Sequence, residues 1–272
     1  MAEKPKSFEE FYFEPRKEIL DIDEVINCAE KNDGEIGKYE GNMFCPECQR
    51  AKLFFVNKSS TRRAHLKKYP SENHAEECSY NYDYASKRII KKFIDSLNYN
   101  QIQDRLNSIM KMLNRKQVTS GESSTGGGTS VHKKNNPMLI VEERENTVYK
   151  ALRRKKLNAW IDESDGQELC VFYGKVKLKV DERIKKCDEV EIETLVTPDI
   201  ARDKYYLLQI YTKNKKGEWK FRTNIYRGKK KDIVDESKVY NIVLIGNLDF
   251  NYKPFTIRLA NWDALRYQET EE

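Results

Sequence analysis

The feature that most constrains how this chain can fold is a group of cysteine and histidine residues between positions 44 and 80. This stretch holds three of the six cysteines and two of the three histidines. Cys45 and Cys48 form a C-x2-C pair, and His74 and Cys78 follow 25 residues later as H-x3-C. Three thiolates and one imidazole are the donor set of a tetrahedral structural Zn²⁺ site. The spacing therefore predicts a zinc-stabilised module built on Cys45, Cys48, His74 and Cys78.

Other interpretations of the same residues stay open. His65, in the basic stretch RRAHLKK, is an alternative fourth ligand in place of His74. The cysteines could instead be unligated and buried, with both histidines on the surface. A redox role for Cys45 and Cys48 would call for a thioredoxin-like βαβ pattern around them. We find no such pattern, and zinc is favoured.

The segment FCPECQRAKLFFVNKSSTRRAHLKKYPSENHAEECSY, residues 44–80, resembles the zinc-knuckle segment of CoiA-like competence proteins. In that family a CPxC pair precedes a basic, histidine-containing stretch and accompanies a restriction-endonuclease-like domain, which implies contact with DNA. The rest of this chain departs from the family pattern. After Cys78 we find no separated Asp and Glu-x-Lys arrangement on adjoining predicted strands of the kind such nucleases use to hold Mg²⁺, and the nearest stretch, EIETLVTPD, lacks the lysine. The resemblance implies a zinc module near nucleic acid and leaves a metal-dependent nuclease as an alternative.

Composition divides the chain into three parts. Residues 1–116 are predicted to combine the zinc-binding module with amphipathic helices, one in DIDEVINCAEK and others over 83–114, where apolar residues recur at helical spacing until a break at NYN. Residues 117–137 are rich in Gly, Ser and Thr and are predicted to form a flexible linker. Residues 138–272 are predicted to form a β-rich domain. The fold class expected for the whole chain is α+β.

The β-rich domain is expected to open with a helix in TVYKALRRKKLNAWI. Six strand-like segments follow: ELCVFYGKVKLKV, DEVEIETLV, YYLLQIYTK, WKFRTNIYR, VYNIVLIGNL and PFTIRLANW. The stretch KNKKGE between two of them suits a hairpin turn. Strands with short polar connections indicate an antiparallel barrel or sandwich, and an OB-like barrel is the preferred version.

Residues 204–231, which we call the basic ribbon, carry ten Lys or Arg and one acidic residue, although the whole chain has a net charge of only +6. Aromatic residues alternate with the cations, a composition typical of single-strand binders. A second basic stretch, KALRRKK, is predicted on the helix before the strands. The candidate nucleic-acid-binding residues are Lys213, Lys215, Lys216, Trp219, Lys220, Arg222, Tyr226, Arg227, Lys229, Lys230, Arg153 and Arg154.

The basic ribbon also allows two other interpretations. In the first, its aromatic residues point into the core and only a solvated basic face remains outside. In the second, the basic face binds an acidic protein partner. Strand alternation would put Trp219 and Phe221 on one face and Lys220 and Arg222 on the other, so the direction of the aromatic side chains decides between the possibilities.

Several functional classes have no support in the sequence. It contains no phosphate-binding glycine loop, no G-x-S-x-G elbow and no H-E-x-x-H. It also lacks an apolar run of membrane-spanning length and an apolar N-terminal signal stretch, so we expect a cytoplasmic protein without membrane contact. The expected function is non-catalytic binding of nucleic acid, DNA rather than RNA, in DNA-processing, phage or mobile-element biology. A metal-dependent nuclease and a protein-interaction adaptor are the alternatives.

Overall fold

The structure, a computed structural model, describes residues 6–60, 62–114, 136–142, 147–184 and 204–270. The chain divides into two compact units. We call Met1–Ala85 with Lys111–Arg153 the N-terminal unit, and Ser86–Met110 with Arg154–Glu272 the barrel unit. The predicted linker, residues 117–137, lies outside the described residues except for positions 136 and 137.

In its described residues the N-terminal unit contains small antiparallel sheets and one complete α-helix. Its elements are β1 (Glu10–Phe13), β2 (Glu18–Asp21), α1 (Ile22–Lys31), β3 (Met43–Phe44), β4 (Leu53–Val56), β5 (His65–Lys68), β6 (Leu139–Glu142) and β7 (Val148–Ala151). Strands pair in the order β2-β1-β3, and the hairpins β4–β5 and β6–β7 form separate two-stranded sheets. Helix α1 confirms the helix predicted in DIDEVINCAEK. It begins after Asp21, whose carboxylate accepts a hydrogen bond from the Asp23 amide.

The core of the N-terminal unit gathers apolar side chains from β1, β3, β4 and β5. Phe11, Met43, Leu53 and Leu66 are fully buried. Cys45 and Cys78 belong to the same buried cluster. Residues far apart in sequence therefore share one small core with two of the predicted metal ligands.

Two helices belong mainly to the barrel unit and confirm the helical periodicity of residues 83–114. They are α2 (Lys87–Asp95) and α3 (Tyr99–Leu113). Ser86 caps α2 by accepting a hydrogen bond from the Ile89 amide. The break predicted at NYN is real, because Asn98 and Gln101 exchange side-chain-to-backbone hydrogen bonds that start a new helix. No helix in the described ranges is both long enough and apolar enough to cross a membrane.

Seven strands of the barrel unit fall within the residues that the structure describes. They are β8 (Arg153–Lys156), β9 (Cys170–Ile184), β10 (Lys204–Lys213), β11 (Trp219–Gly228), β12 (Tyr240–Asp249), β13 (Thr256–Leu259) and β14 (Leu265–Glu269). Five of them close a barrel in the order β9-β10-β11-β13-β12, with β12 paired back to β9. The β11–β13 pair is parallel and the other pairs within the barrel are antiparallel. The mixed α+β class and the barrel are thus confirmed, whereas the expectation that all barrel strands are antiparallel is wrong for β11 and β13, which are not joined directly along the chain.

The long strand β9 makes the closure possible. Its residues 170–176 pair with β12, and its residues 177–184 pair with β10. Val176 and Leu178 are buried, as their alternation with lysines predicts. They pack with Leu208, Ile225 and Ile242 from the neighbouring strands. A single long strand therefore pairs with β10 over one half and with β12 over the other half, and this closes the barrel.

The helix predicted in TVYKALRRKKLNAWI is wrong, because this stretch forms β7 and β8. Strand β7 pairs with the preceding strand β6 and strand β8 pairs with β9, and this pairing overrides local helix propensity. The strand predicted in DEVEIETLV lies outside the described residues.

Gly246 lies where β12 meets β13, and we expect its replacement by alanine to destabilise the barrel strongly. A Cβ added there would lie 2.5 Å from the Arg258 carbonyl oxygen, a backbone atom that cannot move without disturbing the sheet. The expected loss is about 3 kcal/mol. Urea denaturation followed by tryptophan fluorescence would measure it, since all three tryptophans belong to the barrel unit.

Gly217→Ala is the matched control for Gly246→Ala. A Cβ at Gly217 meets no atom within 4 Å, and only its positive φ of 79° opposes the change. The expected loss is about 1 kcal/mol. Equal losses for the two variants would mean that the β12–β13 contact is not tight enough to resist a methyl group.

Candidate functional site

The C-x2-C pair lies in a tight turn between β3 and β4. The Cys45 amide donates to the Ala51 carbonyl over 2.8 Å, and the Gln49 amide donates to the Cys45 carbonyl over 2.9 Å. Gln49 adopts a left-handed conformation with φ of 54°. His74 and Cys78 follow β5 in a turn closed by the Cys78 amide and the Ala75 carbonyl. Two backbone turns thus direct all four side chains toward one point.

The four predicted ligands converge, and we call them the Cys/His cluster. One ligand atom from each of Cys45, Cys48, His74 and Cys78 lies within 4.8 Å of all the others. The Cys45 and Cys78 sulfurs are 3.7 Å apart. The His74 Nδ1 atom lies 3.5 Å from the Cys48 sulfur and 3.6 Å from the Cys78 sulfur. The arrangement can hold a metal ion.

His65 is not part of the Cys/His cluster. It lies on β5 opposite Val56, and its Nδ1 atom is 2.8 Å from the Arg63 carbonyl oxygen. The His74 ring, by contrast, stacks on Tyr80 with ring centroids 5.8 Å apart. The structure therefore brings His74, rather than the alternative His65, to the three cysteines.

The thiols of the cluster influence one another's ionisation. Burial raises the pKa of the Cys45 thiol to about 12. Hydrogen bonds with Cys45 and Cys78 lower the pKa of Cys48, whereas hydrogen bonds with Cys45 and Cys48 raise the pKa of Cys78. The three thiols therefore differ in how readily they lose a proton, with Cys48 favoured over Cys45 and Cys78. A bound cation would supply the positive charge that stabilises all three as thiolates.

Glu47, inside the C-x2-C pair, ties the two halves of the cluster together. Its carboxylate accepts hydrogen bonds of 2.6 Å from both the amide and the hydroxyl of Ser79, the residue after Cys78. It also accepts one of 2.5 Å from the Asn136 amide group, which donates to the Glu77 carbonyl as well. The sequence spacing contained no signal for this support, because its partners lie 32 and 89 residues away.

We expect Glu47→Gln to weaken metal binding by about 10- to 100-fold without abolishing it. The substituted amide would present an N–H group toward one of the donors that the carboxylate now accepts, so the turn holding Cys78 would loosen. A competition titration with a chromophoric zinc chelator would measure the affinity. The neighbouring half-exposed Pro46 offers a control: Pro46→Ala should change the affinity less than Glu47→Gln, and the reverse order would contradict the role of the carboxylate.

The aromatic residues of the basic ribbon lie on the outside of the barrel. The core in this region is formed by Leu208, Ile210 and Ile225. A register shift after Ile210 then sets Tyr211 opposite Phe221, and Lys213 opposite Trp219. Phe221 is 40% exposed. The interpretation in which these aromatic side chains form the core is therefore wrong.

Lysines surround this aromatic surface. The ammonium groups of Lys213 and Lys177 lie 5.2 Å and 5.9 Å from the Trp219 ring centroid. Lys177 reaches the surface from β9, where it pairs with Tyr211. The exposed candidate lysines of the ribbon are Lys213, Lys215, Lys216, Lys220, Lys229 and Lys230. We call Lys177, Tyr211, Lys213, Trp219 and Phe221 the aromatic face.

Two predicted cations of the ribbon are engaged inside the fold instead. The Arg222 guanidinium donates to the carbonyls of Leu157 and Ala159 over 2.8 Å and 2.7 Å. Arg227 is 2% exposed and forms a two-hydrogen-bond ion pair with Asp232. The guanidinium groups of Arg222 and Arg227 donate to protein acceptors, whereas the lysine side chains of the ribbon extend into solvent. The amino-acid composition of the ribbon could not distinguish these two arginines from the exposed lysines.

The second basic stretch belongs to β7 and β8, whereas the aromatic face is carried by β9, β10 and β11. Arg153 and Arg154 lie half-buried on strand β8 instead of on the predicted helix. The Arg153 guanidinium is 5.9 Å from the centroid of the Tyr84 ring.

Residues after the ribbon add to the barrel surface and were missed by the sequence analysis. Trp262 and Tyr252 are 54% and 52% exposed. The Arg258 guanidinium lies 4.9 Å from the Tyr226 ring centroid and 5.6 Å from that of Tyr252. The only sequence signal for these two residues is that each aromatic side chain lies in a stretch with turn-forming residues, NYKPF for Tyr252 and NWDAL for Trp262.

The Cys/His cluster is the one group of three or more potential metal-ligating residues found within the described ranges. The stretch EIETLVTPD, nearest to a nuclease pattern, lies outside those ranges. Comparison with protein-family models, curated proteins and solved structures found no significant match to this chain.

Proposed function

We propose that this protein binds single-stranded nucleic acid without cleaving it, on the outer surface of a barrel accompanied by a zinc-stabilised unit. The observation that carries the proposal is the aromatic face. Its rings lie outside the core, and lysine side chains lie beside them. Bases stack on such rings and phosphates pair with such cations, whatever the base sequence.

The order of strands supports an OB-like barrel. Numbered from β9, the five barrel strands follow the order 1-2-3-5-4 and close back to 1, with strands 3 and 5 parallel. OB-folds are five-stranded barrels that bind oligonucleotides on strands 2 and 3 and on the loop between strands 4 and 5. Here strands 2 and 3 are β10 and β11, which carry most of the aromatic face, and the loop after β12 carries Tyr252.

The distances in the Cys/His cluster support zinc as its metal. Tetrahedral Zn²⁺ with bonds of about 2.3 Å to sulfur and about 2.0 Å to nitrogen would separate two sulfurs by about 3.8 Å, and a sulfur from a nitrogen by about 3.5 Å. The corresponding separations are 3.7 Å, and 3.5 Å and 3.6 Å. Four protein ligands leave no position for substrate, which suits a structural ion.

The proposed function is tested by titrating fluorescent single-stranded DNA, single-stranded RNA and duplex DNA at two salt concentrations, with and without Mg²⁺. We expect salt-dependent binding that is tightest for a single strand, with the oligonucleotide intact on a gel afterwards. The slope of log affinity against log salt counts the phosphates contacted. DNA is proposed over RNA because residues 44–80 resemble a segment found in DNA-processing proteins.

Two results would replace this proposal. Cleavage that depends on Mg²⁺ would favour the metal-dependent nuclease. Absence of binding at low salt would leave the basic ribbon as a surface for an acidic protein partner, and the protein as an adaptor. A preference for duplex DNA would remove the role given to the exposed rings, because bases within a duplex cannot stack on them.

A further inference from the structure

We propose that a second nucleotide-binding subsite lies beyond the aromatic face, where Trp262 stacks on a base and the lysine turn, Lys229–Lys231, contacts the adjoining phosphates. This inference rests on the proposed function and extends it to residues that the basic ribbon alone does not define. It also gives the buried Arg227 a positioning role in binding.

Arg227 holds the two halves of this subsite together. Its guanidinium pairs with Asp232 at 2.7 Å and 3.2 Å, so the ion pair closes the short loop that carries the three lysines. The Lys230 amide donates to the Arg227 carbonyl across the same loop. A third guanidinium hydrogen bond, of 3.1 Å, goes to the carbonyl oxygen of Trp262. One buried side chain thus sets the lysine turn and the Trp262 backbone at a defined separation.

The Trp262 indole is supported by the protein yet remains accessible. Gly228, with φ of 56°, lies so close to its six-membered ring that an added Cβ would be 3.0 Å from the ring edge. The Tyr226 ring is 6.1 Å away on another side. More than half of the Trp262 side chain is nevertheless exposed. A preorganised, exposed indole is well suited to stack on an unpaired base.

The charges around Trp262 favour an anionic ligand. Lys229, Lys230 and Lys231 are all exposed. The Lys230 ammonium lies 3.6 Å from the carboxylate of Asp263, a solvent-exposed pairing that a phosphate can replace. Arg258 lies over the face of Tyr226, next to Trp262. The subsite therefore combines one stacking surface with several cations, which fits a nucleotide unit of a strand.

A row of aromatic contacts runs from strand β10 to the subsite. The Tyr205 ring is 6.0 Å from Tyr226, and Tyr226 is 6.1 Å from Trp262. Tyr226 pairs with Leu207 on β10, four residues from Tyr211 in the aromatic face. At about 3.3 Å per residue, Tyr226 and Tyr211 are about 13 Å apart along the strand direction. One extended single strand can span that distance, so both regions can hold parts of the same molecule.

Trp262→Ala is tested against Trp160→Ala with thymidine oligonucleotides of about 4 and about 16 nucleotides. The two tryptophans have almost the same exposure, 54% and 56%, which makes Trp160 a matched control. We expect Trp262→Ala to weaken binding of the long strand about tenfold, with a smaller effect on the short one, and Trp160→Ala to leave both unchanged. In the variant Trp160→Phe/Trp219→Phe, the long strand should quench the remaining Trp262 fluorescence.

The lysine turn and Arg227 are tested separately. Changing all three lysines to glutamine should lower the slope of log affinity against log salt by about 2 for the long strand. Arg227→Lys keeps the positive charge but removes the guanidinium group that donates to the Trp262 carbonyl oxygen. It should therefore reduce the quenching of Trp262 fluorescence, and it should weaken binding of the long strand more than binding of the short strand. If Arg227→Lys fails to fold, the tryptophan and lysine variants still decide the proposal.

The outcomes separate this inference from the proposed function. If the unmodified protein binds no single strand, the proposed function itself fails. If it binds, and Phe221→Ala weakens binding while Trp262→Ala does not, only the aromatic face is used and the second subsite is overturned. An unquenched Trp262 in a saturated complex would overturn it equally.

Discussion

Removing the proposed zinc ion from the Cys/His cluster is expected to unfold the N-terminal unit, with a loss on the order of 10 kcal/mol of stability. The reason is that Cys45 and Cys78 are part of its small hydrophobic core, so the ligands cannot separate without opening that core. Circular dichroism with increasing amounts of a zinc chelator would detect the change. Tryptophan fluorescence should change little, because all three tryptophans are in the barrel unit.

The matched pair His74→Ala and His65→Ala tests the ligand set behind this expectation. Elemental analysis should find close to one zinc per chain in the unmodified protein and in His65→Ala, and substantial loss of zinc in His74→Ala. Full zinc content in His74→Ala would contradict the assigned ligands. A chelator that strips the metal but leaves the circular dichroism unchanged would show that the ion is not structural.

The double variant Trp219→Ala/Phe221→Ala is expected to weaken single-strand binding by about 100-fold. Each ring offers one stacking surface worth roughly 1–3 kcal/mol per base, and the two lie on the same face of β11 beside Lys213 and Lys177. Fluorescence anisotropy with a labelled oligonucleotide would measure the change. Because both side chains lie outside the core, the barrel should keep its stability to urea.

Tyr99→Ala serves as the control for that variant. Tyr99 is an aromatic residue of the barrel unit, 57% exposed, but it lies at the start of helix α3. Its removal should leave the affinity unchanged. Equal affinity for the double variant and the Tyr99 control would mean that the rings on β11 do not carry the binding, even if the lysines contribute salt-dependent attraction.

The sequence by itself predicted the metal-ligand set, the helices and the strand alternation, because each depends on residues at short, regular spacing. The spacing of Cys45, Cys48, His74 and Cys78 reflects the short reach of paired ligands within a turn, and the structure brings these four together. The stripes of α2 and α3 and the alternation in β9 follow the periods of 3.6 and 2, and these elements form as predicted. The β-barrel followed from a series of such strands with little helix between them.

Only the tertiary structure decided the properties that depend on residues distant in sequence. Within the stretch 147–161, residues Arg153–Lys156 became strand β8 because β9 supplies their hydrogen-bonding partner. A register shift between β10 and β11 set Phe221 and Trp219 on the outer surface. Asp232 and the Trp262 carbonyl drew Arg227 inside, although its sequence context matches that of the exposed lysines. Pairing register and burial arise from contacts across the fold, and a linear pattern of residue types does not contain them.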